Sequence, residues 1–283
     1  MAIGILPMEL RKVDLPSCPI ERLDWPNQAT PNVKTVGELG PSDQIVVYPN
    51  SGIFYKRRPK LACKVSLIFT EPKAIHAKYY RTLDLIRHRF DKIICRYPEY
   101  ASKFKNVLLL PVVETWVRDS ESACQVEKTK TCSLIASNKK NLEGHLLRHR
   151  IADWLKTATL DVDLLGRAYQ PIENKEDGLA PYRYSIIIEN NQEKEYFTEK
   201  LLDCMLCNTM PIYWGCPNIS DYFNITGMII CKSEQELQAA ITNTTQPIAA
   251  EQQIAMAENK TRALEMSRLN EHVVSLLSNQ KNT

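Results

Sequence analysis

Apolar side chains in this chain gather in short, β-branched runs, and between the runs they recur at every third or fourth residue. The first rhythm marks buried strands and the second amphipathic helices. Strand-like runs lie at 44–48, 64–69, 92–95 and 107–113, with helical spacing over 77–90 through Tyr79, Leu83, Ile86 and Phe90. Turn signals close the first two runs: Pro49-Asn50-Ser51-Gly52 and Thr70-Glu71-Pro72. The polar stretch 114–131 predicts a linker. Beyond it the alternation resumes, with strands at 132–136, 160–165, 184–188 and 210–214 and helices at 142–157 and 198–208. Ser233-x-x-Glu236 is a capping box, and helical spacing continues over 249–278. Residues 1–43 follow neither rhythm and read as an irregular wrapping segment.

Strands apolar along their whole length, alternating with helices, predict parallel sheets covered on both faces. The expected fold class is α/β, two Rossmann-like domains facing a cleft. The domains are placed at 1–120 and 121–283, with the C-terminal helices packing back on the first. Ligands are then expected at the carboxyl ends of strands.

Composition narrows the function. Hydrophobic residues make up 44% and charged residues 24% of the 283, which excludes a disordered or coiled-coil chain. Lys+Arg 36 against Asp+Glu 33 gives a net charge of +3, too little for a nucleic-acid partner, so an anionic ligand needs a local cluster. The N-terminus lacks the basic and apolar regions of a signal peptide or anchor. No apolar run approaches the ~20 residues of a membrane span. With nine cysteines, an odd number, the expectation is a soluble, cytoplasmic protein with reduced thiols. Cys204-x-x-Cys207 reads as core packing, and the sequons at Asn218, Asn224, Asn243 and Asn259 as unused.

The densest chemistry lies in Tyr182 to Leu202. A buried strand ends at Glu189-Asn190, and a helix opens at Thr198, an N-cap residue type. Free backbone N–H groups at a helix start suit phosphate, and Lys200 adds a full positive charge. Glu199 suits the hydroxyls of a ribose or sugar. Together they fit a nucleotide-sugar.

The spacing E-N-x5-Y-x-T-E-K, followed by P-I-Y-W-G, resembles the donor-binding signature of glycosyltransferase family 10, the α-1,3/4-fucosyltransferases. The matching residues are Glu189, Asn190, Tyr196, Thr198, Glu199, Lys200 and 211–215. Upstream, the segment from Gly144 to Arg150 is similar to the family helix whose arginine reaches the donor diphosphate. Arg148 is the better match and Arg150 the second. Phe69-Thr70-Glu71-Pro72 stands where the family places a general base, so the resemblance implies that role for Glu71, with His76 in reserve. Tyr79 and Trp116 are the aromatic candidates for stacking on an acceptor sugar. The resemblance implies a GT-B-like fold and an inverting, metal-independent transferase that needs no cofactor. Its co-substrate would be a nucleotide-sugar, GDP-fucose by family, and its acceptor a glycan or glycoprotein. Soluble, divergent enzymes with this motif also resemble exostosin-like transferases, including those of large algal viruses, so UDP-xylose or another UDP-sugar is an alternative donor.

Two alternatives stay open: a retaining two-domain transferase, disfavoured because Glu189 and Glu199 are ten rather than eight residues apart, and a non-catalytic glycan- or nucleotide-binding module. Asp161-Val162-Asp163 is a D-x-D pattern of the kind that binds metal in another glycosyltransferase fold, but it falls on a predicted strand, and no metal site is expected.

Overall fold

The structure, a computed structural model, describes residues 1–56, 60–111 and 113–279. The chain forms two compact units: Met1–Val112 together with Arg268–Thr283, and Val113–Ser267. The expected division near residue 120 thus falls at 112/113.

The first unit holds strands β1 (Ile3–Ile5), β2 (Gln44–Val47), β3 (Lys64–Ile68), β4 (Ile93–Cys95) and β5 (Val107–Leu109). Its helices are α1 (Ser51–Tyr55), α2 (Lys73–Ile86), α3 (Pro98–Lys103) and, from the end of the chain, α9 (Leu269–Asn279). All five strands are parallel and lie in sequence order, β1-β2-β3-β4-β5. Right-handed crossovers between consecutive parallel strands in this order all cover one face. That face carries Ile45, Val47, Val65, Leu67, Ile93 and Cys95 with Phe54, Tyr79, Tyr80 and Leu83. The alternate residues Ile3, Ile5, Val46, Ile68 and Ile94 face the other way. There Leu269, Val273 and Leu277 of α9 bury them. The returning helix completes a sheet that its own crossovers leave half covered.

β1 escaped the sequence pattern because it is three residues long with a glycine in the middle. A Cβ on Gly4 would come within 2.6 Å of the Trp25 ring, so only glycine lets that ring cross the strand. The strand expected over 107–113 ends at Leu109, and Val112 lies outside the described residues. Pro72 precedes α2, whose fourth residue, His76, departs from helical geometry and kinks it.

The second unit holds α4 (Ser120–Gln125), β6 (Lys130–Ile135), α5 (Glu143–Thr157), β7 (Val162–Leu165), β8 (Tyr182–Ile188), α6 (Glu199–Leu206), β9 (Met210–Trp214), β10 (Ile229–Ile230), α7 (Glu234–Thr242) and α8 (Ala250–Met266). The strand order is β10-β9-β8-β6-β7, all parallel. The order reverses between β6 and β8, the topological switch point of a doubly wound sheet. Leu134, Ile186 and Ile212 pack with α5 and α7 on one face, and Ile187 and Tyr213 with α6 and α8 on the other. Cys204 and Cys207 sit in that second cluster, and all nine cysteines are free. Lys128 closes the unit's lower end, donating to Ala180 O at 2.7 Å, Cys207 O at 2.7 Å and Thr209 Oγ1 at 2.9 Å. Among the described residues no helix is long and apolar enough to cross a membrane.

Leu269→Ala should open a cavity under β1–β4 and cost about 3 kcal/mol. Urea unfolding would measure it, and an unchanged midpoint would contradict the covering role of α9.

Candidate functional site

At the switch point the chain leaves β8 with Glu189, whose carboxylate has no exposed surface. An ionised carboxylate so placed must be fully hydrogen-bonded. The Thr198 N–H donates to its Oε1 at 2.8 Å, and the Thr198 hydroxyl to its Oε2 at 2.8 Å. Lys200 Nζ stands 3.7 Å from Oε2. Thr198 is also the N-cap of α6, its hydroxyl accepting from Lys200 N at 3.4 Å and from Lys200 Nζ at 3.0 Å.

Lys200 pairs with Glu199 at 3.0 Å. Burial pulls the Lys200 pKa down, but Glu199 and Glu189 outweigh it and hold the ammonium above its ordinary value. Burial likewise pushes Glu199 up, and Lys200, with Lys175 behind it, brings it below the usual carboxylate range. Both groups are charged at neutral pH.

Arg148 reaches the same edge from α5. Its Nε donates to Ile188 O at 2.9 Å and its Nη2 to Asn190 Oδ1 at 2.8 Å. Burial lowers its pKa, with Glu189 opposing. The close approach of α5 requires Gly144: a Cβ there would lie 1.7 Å from Glu189 O. No side chain fits that space. Gly144 N donates to Asn190 O at 3.1 Å.

The loop from Asn190 to Thr198 is held from outside. Glu195 adopts a left-handed backbone, φ 64°, and its N–H donates to Asn218 Oδ1 at 3.0 Å. The Glu195 carboxylate accepts from Asn218 Nδ2 at 2.9 Å and from the Tyr222 hydroxyl. Tyr196 and Phe197 then point inward and are buried. Asn218, the first sequon residue, is thus consumed by the loop, while Asn259 is fully buried and bonded to both backbone groups of Asn224.

The structure therefore brings Arg148, Glu189, Asn190, Tyr196, Thr198, Glu199 and Lys200 to one sheet edge. Arg150 is not brought there, because it points from another side of α5 and pairs with Glu234 at 2.7 Å. Trp116 belongs to the second unit, not the first; the residue is 63% exposed and its backbone N–H donates to Asp203 Oδ1 at 3.0 Å. In the first unit, Glu71 follows the carboxyl end of β3 and His76 lies in the first turn of α2. Burial, with Lys78 and Arg11 adding to it, lowers His76 to about 4. Tyr79 is a core residue packed on Phe54 rather than a surface platform.

Three neighbours received no role in the donor site from the sequence. His145, one turn before Arg148, is buried and lowered to about 4 by desolvation and by Arg148, so it is neutral at pH 7. Asp203, one turn after Glu199 on α6, is fully buried and accepts from Thr115 Oγ1 at 2.7 Å as well as from Trp116. Its Oδ2 has no hydrogen-bond partner among the described residues. Lys175 is its electrostatic neighbour. Helical spacing from Glu199 could have flagged Asp203, whereas nothing local marks Lys175. The D-x-D carboxylates lie at the opposite, amino edge, with Asp163 on Lys130 at 2.8 Å and Asp161 on Thr131. Among the described residues no group of three or more His, Cys, Asp or Glu is arranged to hold a metal ion.

Comparison with known proteins bears on the segment that forms this edge. Residues 125–233 match the family model of glycosyltransferase family 10 (fucosyltransferase), C-terminal part. That segment contains the whole group around Glu189. The α-(1,3)-fucosyltransferase FucT of Helicobacter pylori is 40% identical over 53 residues, 19% of this chain and 11% of that protein. The match thus spans about a tenth of the curated relative's length. Among solved structures, Anabaena Alr3699/HepE in complex with UDP and glucose aligns with TM-score 0.58 at 10% identity, covering 83% of this chain and 78% of that one. An α,α-trehalose-phosphate synthase from Burkholderia vietnamiensis aligns with TM-score 0.57 at 9% identity, covering 87% and 73%. The fold class is α/β and GT-B-like, as the strand rhythm and the motif led us to expect.

Desolvation raises Asp203 from 3.8 to about 6. The folded state thus holds this proton more tightly than the unfolded chain, so the group's contribution is retained at low pH and lost as pH rises through 6. Relative to Asp203→Asn, the natural protein should lose roughly 3 kcal/mol of stability between about pH 4 and pH 7. Parallel stability–pH curves for the two proteins would contradict this.

Proposed function

We propose that this protein is an inverting, metal-independent glycosyltransferase that moves a sugar from a nucleotide-sugar, GDP-fucose first among the candidates, to a hydroxyl of a glycan or glycoprotein. The observation that carries this reading is the convergence of Arg148, Lys200 and the capped start of α6 at the switch point of a doubly wound sheet, within the segment that matches family 10. Parallel α/β sheets bind ligands at that place. The fucosyltransferase descriptions of the family and of the Helicobacter pylori relative support fucose as the sugar.

In this reading the second unit binds the donor. Arg148 offers a planar fork to phosphate oxygens, and Lys200 with the α6 amides adds charge beside it. Glu199 accepts hydrogen bonds from ribose or sugar hydroxyls, while Glu189 is the buried post that fixes Thr198 and Lys200. The first unit binds the acceptor. Glu71 takes the proton of the acceptor hydroxyl as its oxygen attacks the anomeric carbon. The bond from that carbon to the diphosphate oxygen breaks, and its electron pair leaves with the nucleoside diphosphate. Positive charge from Arg148 and Lys200 supplies the leaving-group stabilisation that a metal ion provides in other enzymes. Attack opposite the leaving group inverts the anomeric centre. His76, with its pKa near 4, is no stronger a base than a carboxylate and serves as the reserve. Nine free thiols support a reducing, cytosol-like compartment.

Lys200→Gln should weaken GDP binding by about tenfold to a hundredfold, read by calorimetry. Unchanged affinity for GDP and for UDP would remove Lys200 from the site. Glu71→Gln should leave donor affinity intact and slow transfer by about a hundredfold or more in a coupled assay. Near-natural transfer by that variant would take the base role from Glu71. A product with the donor's own anomeric configuration, read by NMR, would replace the inverting reading with the retaining one.

A further inference from the structure

Lys175 lies in the loop between β7 and β8, just before a short 3-10 turn, Glu176–Gly178. That loop is pinned. Ser133 Oγ donates to Gly178 O at 2.7 Å, Thr209 Oγ1 to Leu179 O at 2.8 Å and Lys128 Nζ to Ala180 O at 2.7 Å. A Cβ on Gly178 would meet Ile135 Cδ1 at 2.8 Å, so the turn packs against the carboxyl end of β6. The segment therefore runs from the carboxyl end of β6, where Gly178 packs, down to the amino edge held by Lys128 and Thr209, with Lys175 at its start, three residues before Gly178.

The side chain follows. Its ammonium stands 5.9 Å from the centroid of the Trp116 ring, and Trp116 is itself tied to Asp203 on α6. Its electrostatic neighbours are Asp203, Glu199, Lys200 and Arg148, contributed by α5 and α6. Yet among the described residues no carboxylate or other acceptor lies within ion-pair or hydrogen-bond distance of the ammonium. Arg148 and Lys200, by contrast, are each engaged by protein oxygens. Burial lowers the pKa of Lys175, with Asp203 and Glu199 opposing. An ammonium drawn away from water without a direct anion is costly, and a rigid loop that holds one beside two other cations is arranged for an anion from outside the chain.

We propose that Lys175 is a third cation of the nucleotide site, its ammonium binding a phosphate oxygen of a nucleoside diphosphate from the β7–β8 loop while Arg148 and Lys200 approach from helices. This rests on the donor-site reading above and adds to it a residue outside the E-N-x5-Y-x-T-E-K motif. Phosphate is the ligand group because Lys175 offers donors only, and Glu199 already serves hydroxyls at this edge.

The test is calorimetric titration with GDP and with UDP, together with the Tm of the unliganded proteins. Lys175→Gln should weaken the diphosphate that the natural protein binds by about tenfold or more. The double variant Lys175→Gln/Asp203→Asn, which removes the acid and the base together and keeps the charge balance, should show the same loss with the Tm maintained. Undiminished affinity in the double variant overturns the proposal, because the lysine would then serve only to balance Asp203. If the natural protein binds neither nucleotide, the donor-site reading falls along with it.

Discussion

A carboxylate with no exposed surface governs the second unit. Glu189 ends β8 inside the protein, where an unpaired charge would cost several kcal/mol. Its two oxygens are satisfied by the amide and hydroxyl of Thr198, with the Lys200 ammonium behind them. Two consequences follow from that single demand. The first turn of α6 must start where it does, and Lys200 must turn back toward the strand end. Separately, α5 approaches the Glu189 backbone so closely that Gly144 can carry no side chain. Cations and helix amides are held in place by the protein's own need to bury a charge, so the proposed anion would meet groups that are already in position.

The two sheets solve the covering problem differently. In the second, reversal of strand order between β6 and β8 sends α5 and α6 to opposite faces and leaves their N-termini flanking one crevice at the carboxyl edge. The first sheet runs in sequence order and has no such reversal. Its crossovers crowd one face, and α9 must return from the end of the chain to cover the other.

The site is electrostatically dense. Arg148, Lys175 and Lys200 lie among Glu189, Glu199 and Asp203. Direct pairs, as between Lys200 and Glu199, keep both partners charged at neutral pH. Where no direct pair forms, burial prevails: Asp203 is driven up and Lys175 down, and His145 beside Arg148 stays neutral. Asp203 and Lys175, both shifted by burial, are residues that the local sequence did not mark, whereas Arg148, also lowered by burial, lies in the segment similar to the family helix.

What the sequence determined by itself is what short-range patterns encode. Fully apolar strands of the second unit, such as 210–214, and the capped helix after Thr198 fall where periodicity and cap chemistry put them, because those signals depend only on neighbours along the chain. The motif from Glu189 to Lys200 was legible for the same reason. Tertiary structure alone decided the rest. β1, three residues with a glycine in the middle, is too short to announce itself, and it is held by the edge that β2 offers, with Gly4 leaving room for Trp25. Arg148 and Arg150 look alike in the sequence, but about half a turn of helix sends one to Asn190 and the other to Glu234. Asp203 and Lys175 lie far apart in sequence and acquire meaning only when a loop, a helix and Trp116 meet, since burial and distance, not residue type, set their charge.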